Sequence, residues 1–399
     1  MTTLQLWKND AYAACLVALL LIPQAIAYAM IAGVPAVYGL YASIFPLLVY
    51  SLVGSSPLLS VGPVAVVSVM VYTGLTPLAF PGSPLYLALV AFLTLSVGLL
   101  QVFFAVVRLG TLFRYVPHSV MRGFINALAL TIILHQVSTL TGISFQSELP
   151  FLQALADFGR KLVTLQQPVF LFSCLLIVLY VFLRRSRVPS PSLLLVVISS
   201  LVVFYFHLEH AGIEKVGAIQ SGWPAWDIPD LLVAYVPDIL PLAFFIALIS
   251  FLESYTMAVQ LQSDQPSKLD PNQELFALGL ANVTGSLVQA FPVAGAFSRS
   301  AVNRDARART RMASLLTALF VLLLSVYFTM PLTYLPLPAL AVIIIFAAYR
   351  LIHWRSIGTH PIVLITTLSC LTLGLKMGFC IGIGASLLWS YLSSPERRV

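Results

Sequence analysis

The sequence has little charge. Of its 399 residues, 21 are Lys or Arg and 14 are Asp or Glu, about 9%. A soluble globular chain carries roughly 25%. So few charges cannot cover a water-facing surface, which excludes a soluble enzyme, a disordered chain and a nucleic-acid module. Cysteine is scarce too. Cys15, Cys174, Cys370 and Cys380 sit singly inside apolar runs, and no CxxC pair exists. A disulfide framework and a cysteine-ligated metal are therefore not expected. There is no phosphate-cradling P-loop, no cluster of metal ligands and no Ser/His/Asp set, so nucleotide hydrolysis and enzyme chemistry are not encoded. No cleavable leader is expected, because the first apolar run is too long and holds Pro23-Gln24 inside it.

What the chain does have is apolar length. Hydrophobic residues make up 60%, in long continuous runs rather than the short alternating segments of a β-barrel. A helix needs about 20 apolar residues to cross the hydrocarbon core. The pattern predicts an all-α polytopic membrane protein with spans at 10–31, 38–53, 61–75, 85–107, 117–140, 168–183, 191–206, 237–259, 272–290, 296–309, 310–330, 336–352, 360–374 and 377–394. Two are unusual: 61–75 is short, and 296–309 is too polar for lipid. With the N-terminus inside, basic residues concentrate in the inner loops, including Arg184, Arg185, Arg187, Lys268, Arg304, Arg307, Arg309, Arg311, Arg397 and Arg398. The outer loops hold only Arg160, Lys161, Lys215 and Lys376. That bias predicts both termini on the cytoplasmic side.

A faint repeat is present. Ser51-Leu52-Val53 is followed by Pro57, and Ser286-Leu287-Val288 by Pro292, 235 residues later. Each stretch leads into one of the unusual spans. Seven spans per half would give the halves opposite orientation, and paired broken spans at matching places point to a transporter binding site.

Ionisable groups at membrane depth mark function. Glu253 and Arg299 are the two expected there, either as a structural salt bridge or as a substrate or ion site. Half-helices entering from opposite faces would point their N-termini at each other, and each carries about half a positive charge. Such a pair forms an anion site. Ser298 is expected to cap the tenth span or bond the anion, and Pro63 to occupy the first turn of the third span or simply kink it. Gln24 and Tyr28 share one face of the first helix. Gln24 either points into a cavity or makes an interhelical hydrogen bond, and Tyr28 either lines the site or packs in the core. His135 reads as packing rather than as a proton shuttle.

These residues also carry a resemblance. Leu21-Ile22-Pro23-Gln24-Ala25-Ile26-Ala27-Tyr28-Ala29 and Val37-Tyr38-Gly39-Leu40-Tyr41-Ala42-Ser43 resemble the signature of the SulP (sulfate permease) family of anion transporters. Ser60-Val61-Gly62-Pro63-Val64-Ala65-Val66 is similar to its third span, and Phe297-Ser298-Arg299-Ser300-Ala301-Val302-Asn303 to its tenth. The resemblance implies fourteen spans in two inverted seven-span repeats, the 7+7 fold shared with nucleobase symporters. It implies a core domain (about 10–107 and 237–330), a gate domain (about 117–206 and 336–394) and a homodimer. It places the anion among Gln24, Tyr28, Pro63, Val64, Ala65, Phe297, Ser298 and Arg299, with Glu253 as the coupling acid. The family usually carries a STAS domain after the last span, and here the chain stops at Pro395-Glu396-Arg397-Arg398-Val399, so a membrane domain without it is expected. The expected function is proton-coupled symport of a dicarboxylate such as fumarate across a bacterial plasma membrane, with no cofactor and with a proton rather than sodium as coupling ion. The alternatives are sulfate or bicarbonate symport or anion exchange, a nucleobase–cation symporter of the same fold, and an anion channel.

Overall fold

The computed structural model describes residues 3–113, 117–143, 151–186, 191–217, 223, 226–261, 269–327 and 330–393. Among the residues used for orientation, Arg114, Arg187, Lys268, Arg397 and Arg398 lie outside these, as do Pro395–Val399. The first half contains α1 (Thr3–Ile31), α2 (Ala36–Val53), strand β1 (Val61–Gly62), α3 (Ala65–Leu75), α4 (Pro84–Val106), α5 (His118–Thr141), α6 (Gln167–Arg185) and α7 (Pro191–Phe206). The second contains α8 (Val236–Leu261), α9 (Pro271–Ser286), β2 (Ala294–Gly295), α10 (Phe297–Asp305), α11 (Met312–Tyr327), α12 (Leu337–Leu351), α13 (Pro361–Leu373) and α14 (Leu375–Ser393). The predicted spans and these helices agree within about four residues, except that α1 begins at Thr3, seven residues before the predicted first span. Ser286 closes α9, and the chain then turns through Gln289, whose φ is 57°.

The chain packs as two compact units, one of Met1–Arg114 with Leu179–Leu340 and one of Tyr115–Val178 with Ala341–Val399. In the first unit one arrangement occurs twice. Helix α4 packs on α9 and α8, and α11 packs on α2 and α1. Even the local hydrogen bonds repeat: Ser51 donates to Leu48 O at 2.7 Å at the end of α2, and Ser286 donates to Val283 O at 2.7 Å at the end of α9. The α4–α9 crossing is close because both helices offer glycine. A Cβ on Gly98 would stand 2.6 Å from Val283 N, and one on Gly279 would stand 2.7 Å from Val102 N. Small residues at such crossings replace the hydrophobic drive that lipid cannot supply between helices. The second unit packs α5 against α13 and α14, with Phe124 edge-on to Phe379 and Thr367 donating to Gly123 O.

Between α2 and β1 the chain is held by a buried acid. Glu274, on the first turn of α9 and fully buried, accepts from Tyr50 Oη (2.6 Å), Ser55 N (2.6 Å), Ser55 Oγ (2.6 Å) and Ser56 N (2.9 Å). Replacing it with Ala would strand these donors, at about 1–3 kcal/mol each where they stay dry. Glu274→Ala is expected to lower the melting temperature of detergent-solubilised protein markedly, with Glu274→Gln intermediate. Equal melting temperatures would remove this role. Outside the spans, Lys215 bonds Glu209 at 2.6 Å and lies over the Tyr334 ring, and that hydrogen bond holds the Glu209 carboxyl below its ordinary pKa.

Candidate functional site

The two unusual spans are half-helices. At about 1.5 Å per residue, the 11 residues of α3 and the 9 of α10 reach only partway across a core of about 30 Å. Each is preceded by a short extended stretch, and the two stretches pair antiparallel, Val61 opposite Gly295 and Gly62 opposite Ala294. Ala296 N donates to Ser60 O at 3.0 Å, and Ser60 N to Ser300 Oγ at 2.8 Å. Helix α3 starts three residues after this ribbon and α10 two residues after it. An antiparallel pair sends the helices away in opposite directions, so both N-termini face the crossing.

Neither start has a side-chain cap, a condition they share with α2, α5 and α13 but not with α4 or α9. Helix α4 is capped by Ser83, which accepts from Tyr86 N, and α9 by Asp270, which accepts from Asn272 N. The N-cap residues of α3 and α10 are Val64 and Ala296, with no side-chain cap hydrogen bond. First-turn N–H groups need partners from elsewhere when the cap supplies none, and an anion is a suitable one. Two expectations are corrected here. Ser298 is not the cap of α10. It is the second helical residue, past the position from which a hydroxyl reaches back, and it is exposed. Pro63 is not in the first turn of α3 but precedes its N-cap, and its role is to offer its carbonyl.

That carbonyl receives Arg299. Arg299 is 1% exposed. Its Nη1 donates to Pro63 O at 2.9 Å and sits 3.5 Å from Gln24 Oε1. Its Nη2 would stand 3.1 Å from a Cβ on Gly62, so a side chain there would push on the guanidinium. Arg299 Nε and Nη2 are buried without a partner, and so is Glu253 Oε2. No ion pair joins the two residues; the salt bridges among the described residues lie elsewhere. Buried charged donors without partners are costly, so unsatisfied groups here are a mark of function rather than of stability. Tyr28, buried on α1 one turn beyond Gln24, lies within electrostatic reach of both Arg299 and Glu253. Val64 and Ala65 are buried, whereas Phe297 is 44% exposed. The structure thus brings Gln24, Tyr28, Pro63, Glu253 and Arg299 together around the ribbon. His135, on α5 in the second unit, is not among them. Leu19, Ile22 and Pro23 also line an apolar cavity of about 450 Å³, whose walls do not suit an anion.

Sequence reading missed the side chains that hold the ribbon. Ser254 Oγ accepts from Gly295 N at 2.7 Å, and Asn282 Oδ1 accepts from Val293 N at 2.8 Å. Small polar residues in apolar spans give no local signal of such a role.

Comparison with known proteins bears on the family and the fold. Residues 7–373 match the model of the Sulfate permease family. Sulfate transporter 4.1, chloroplastic, of Arabidopsis thaliana is 33% identical over 415 residues, covering 98% of this chain and 59% of the relative. A probable sulfate transporter of Mycobacterium tuberculosis is 32% identical over 391 residues, covering 96% and 70%. The chain therefore spans about 60% of the length of the Arabidopsis relative. The murine Solute Carrier 26 family member A9 anion transporter, in its inward-facing state, superposes with a TM-score of 0.88 at 22% identity, over 96% of this chain and 68% of that one. The transmembrane domain of a cyanobacterium bicarbonate transporter gives 0.83 at 20% identity, over 97% and 98%. The fold is therefore the all-α, multi-pass 7+7 inverted repeat expected from the sequence. The dicarboxylate expectation is corrected: these proteins are named for sulfate, bicarbonate or anions at large, and none for fumarate. The reason is physical. A buried acid at residue 253 argued for a coupling proton and carried no information about the shape of the anion.

Proposed function

Because the chain belongs to the sulfate permease family, we propose that it is a secondary active transporter that carries sulfate through the membrane by alternating access, with a proton as co-substrate. The observation that supports this most is the pair of uncapped half-helix starts meeting at one ribbon with Arg299 buried beside them. Each start contributes about half a positive charge, and Arg299 contributes a full one. The total, about two, matches a sulfate dianion when Glu253 is protonated. When Glu253 is ionised the site drops to about one. A proton on Glu253 and sulfate between the helices therefore raise each other's affinity, as linkage requires. Backbone N–H groups at Val64, Ala65, Phe297 and Ser298 serve as donors, with the Ser298 hydroxyl in addition. Gln24 and Tyr28 flank them from α1. Bicarbonate is the second reading, favoured by the fit to the cyanobacterium bicarbonate domain over 98% of its length. In this reading both termini face the cytoplasmic side, an orientation that the distribution of Lys and Arg supports.

The test is uptake into proteoliposomes of labelled sulfate and, separately, bicarbonate, with and without an inward proton gradient. Concentrative sulfate uptake that needs the gradient is expected. Sulfate that neither enters nor competes would overturn the reading. In the same assay Gln24→Ala is expected to raise the half-saturating sulfate concentration roughly threefold to tenfold, the worth of one hydrogen bond. An unchanged value would remove Gln24 from the site.

A further inference from the structure

Strand β2 has a partner on one edge only. Along its other edge, the N–H groups of Val293 and Gly295, two residues apart, point the same way, as alternate groups on an extended chain do. Each meets a side chain instead of a third strand. Gly295 N donates to Ser254 Oγ and Val293 N to Asn282 Oδ1. The two acceptors belong to one chain of hydrogen bonds. Asn282 Nδ2 donates to Gln101 Oε1 at 2.9 Å, and Gln101 Nε2 donates to Ser250 Oγ at 2.9 Å. Ser250 lies one helical turn before Ser254, whose Oγ donates to Ser250 O. The path thus closes on itself through α8, α4, α9 and β2. Ser254, Ser250, Gln101 and Asn282 are all buried to within 1%.

The path joins two things the transport cycle must keep together. Helix α8 carries Glu253, the immediate neighbour of Ser254, and β2 leads directly into α10, whose start faces the anion. We propose that Ser254 and Asn282, connected through Gln101 and Ser250, are positioning residues that fix the α10 N-terminus relative to Glu253, so that proton occupancy on α8 is felt at the anion. The inference rests on the transport reading above and adds to it the means of coupling. A single hydroxyl at 254 is the only side-chain link from Glu253's own turn to β2 among the hydrogen bonds described, which makes it the place to cut.

The experiment compares wild type with Ser254→Ala, Ser254→Thr, Asn282→Leu and Asn282→Asp. Amide hydrogen exchange at Gly295 and Val293 reads the position of β2 directly, whatever anion is carried. In Ser254→Ala, exchange at Gly295 is expected to accelerate at least tenfold. In Asn282→Leu the same is expected at Val293. Asn282→Asp keeps the acceptor for Val293 N but loses the donor to Gln101, so it should slow exchange at Val293 relative to Asn282→Leu while leaving the link to α8 cut; Ser254→Thr, which keeps the hydroxyl, should stay near wild type. In proteoliposomes Ser254→Ala should raise half-saturating sulfate about tenfold, leave maximal exchange within twofold, and blunt the response to a proton gradient, with Ser254→Thr restoring both. Unchanged exchange at Gly295 in Ser254→Ala overturns the proposal. So does faster exchange with wild-type half-saturation and proton response, since that is what a purely structural hydrogen bond would give. A wild-type protein that carries neither oxyanion would end the transport reading, while the exchange rates would still decide whether these side chains position β2.

Discussion

Replacing Glu253 with Gln is expected to abolish the acceleration of sulfate uptake by an inward proton gradient while leaving sulfate exchange measurable. The side chain is 7% exposed, and its Oε2 has no partner. A carboxyl group in that position can change charge during the cycle because no fixed cation holds it ionised. Glutamine keeps the size and one carbonyl oxygen, and it cannot release a proton. The site is then permanently in the state of higher positive charge. Wild-type uptake should rise as the outside becomes more acidic, since more of the outward-open protein carries the proton that sulfate needs. In Glu253→Gln that rise should flatten, and a pH difference should no longer concentrate sulfate. Exchange survives because it requires only that the loaded site turn over. The check is the ratio of uptake with and without the gradient in matched proteoliposomes. A ratio equal to wild type in Glu253→Gln would end the coupling role.

Replacing Arg299 with Gln has the larger effect on transport itself. The guanidinium is enclosed, bonds Pro63 O from 236 residues away in sequence, and leaves Nε and Nη2 free of protein partners. Charge-assisted hydrogen bonds contribute about 1.5–3 kcal/mol each, so losing one or two aimed at a dianion reduces transport efficiency roughly 10²-fold. Arg299→Lys should recover only part of this, because a point charge cannot span the carbonyl and the anion as a planar fork does. The melting temperature of the solubilised variants separates a lost anion contact from a lost fold. Sulfate uptake in Arg299→Gln within threefold of wild type would show that the guanidinium serves the ribbon and not the cargo.

Most of the architecture could be read from the sequence because a bilayer imposes a simple local rule: about 20 apolar residues make a crossing. The two exceptions, 61–75 and 296–309, broke that rule, and this is why they drew attention to the site. Glu253 and Arg299 were visible for the same reason, as charges where charge is expensive. Other features obey no local rule. Ser254, Gln101 and Asn282 differ from dozens of other small polar residues only in what lies across from them, up to 181 residues away. Glu274 stands near a helix start, and nothing nearby in sequence announces that Tyr50, Ser55 and Ser56 converge on it. Ser298 was misjudged because a serine near a helix start is normally a cap. Here the extended ribbon sets the start of the helix two residues earlier, at Ala296. The choice of cargo was wrong because an acid at residue 253 argues for a coupling proton and carries no outline of the anion.

The ribbon has a consequence for biogenesis. Val61 meets its partner Gly295 only after most of the polypeptide has left the ribosome. During that interval the third segment is too short to cross and has an unpaired backbone at its tip, which lipid cannot solvate. The nascent first half must therefore wait in the translocon, or in a wet pocket of its own, until the second half arrives. Closure of the ribbon is thus a late act of insertion, and a product truncated before β2 can be distinguished from a finished one by that gap alone.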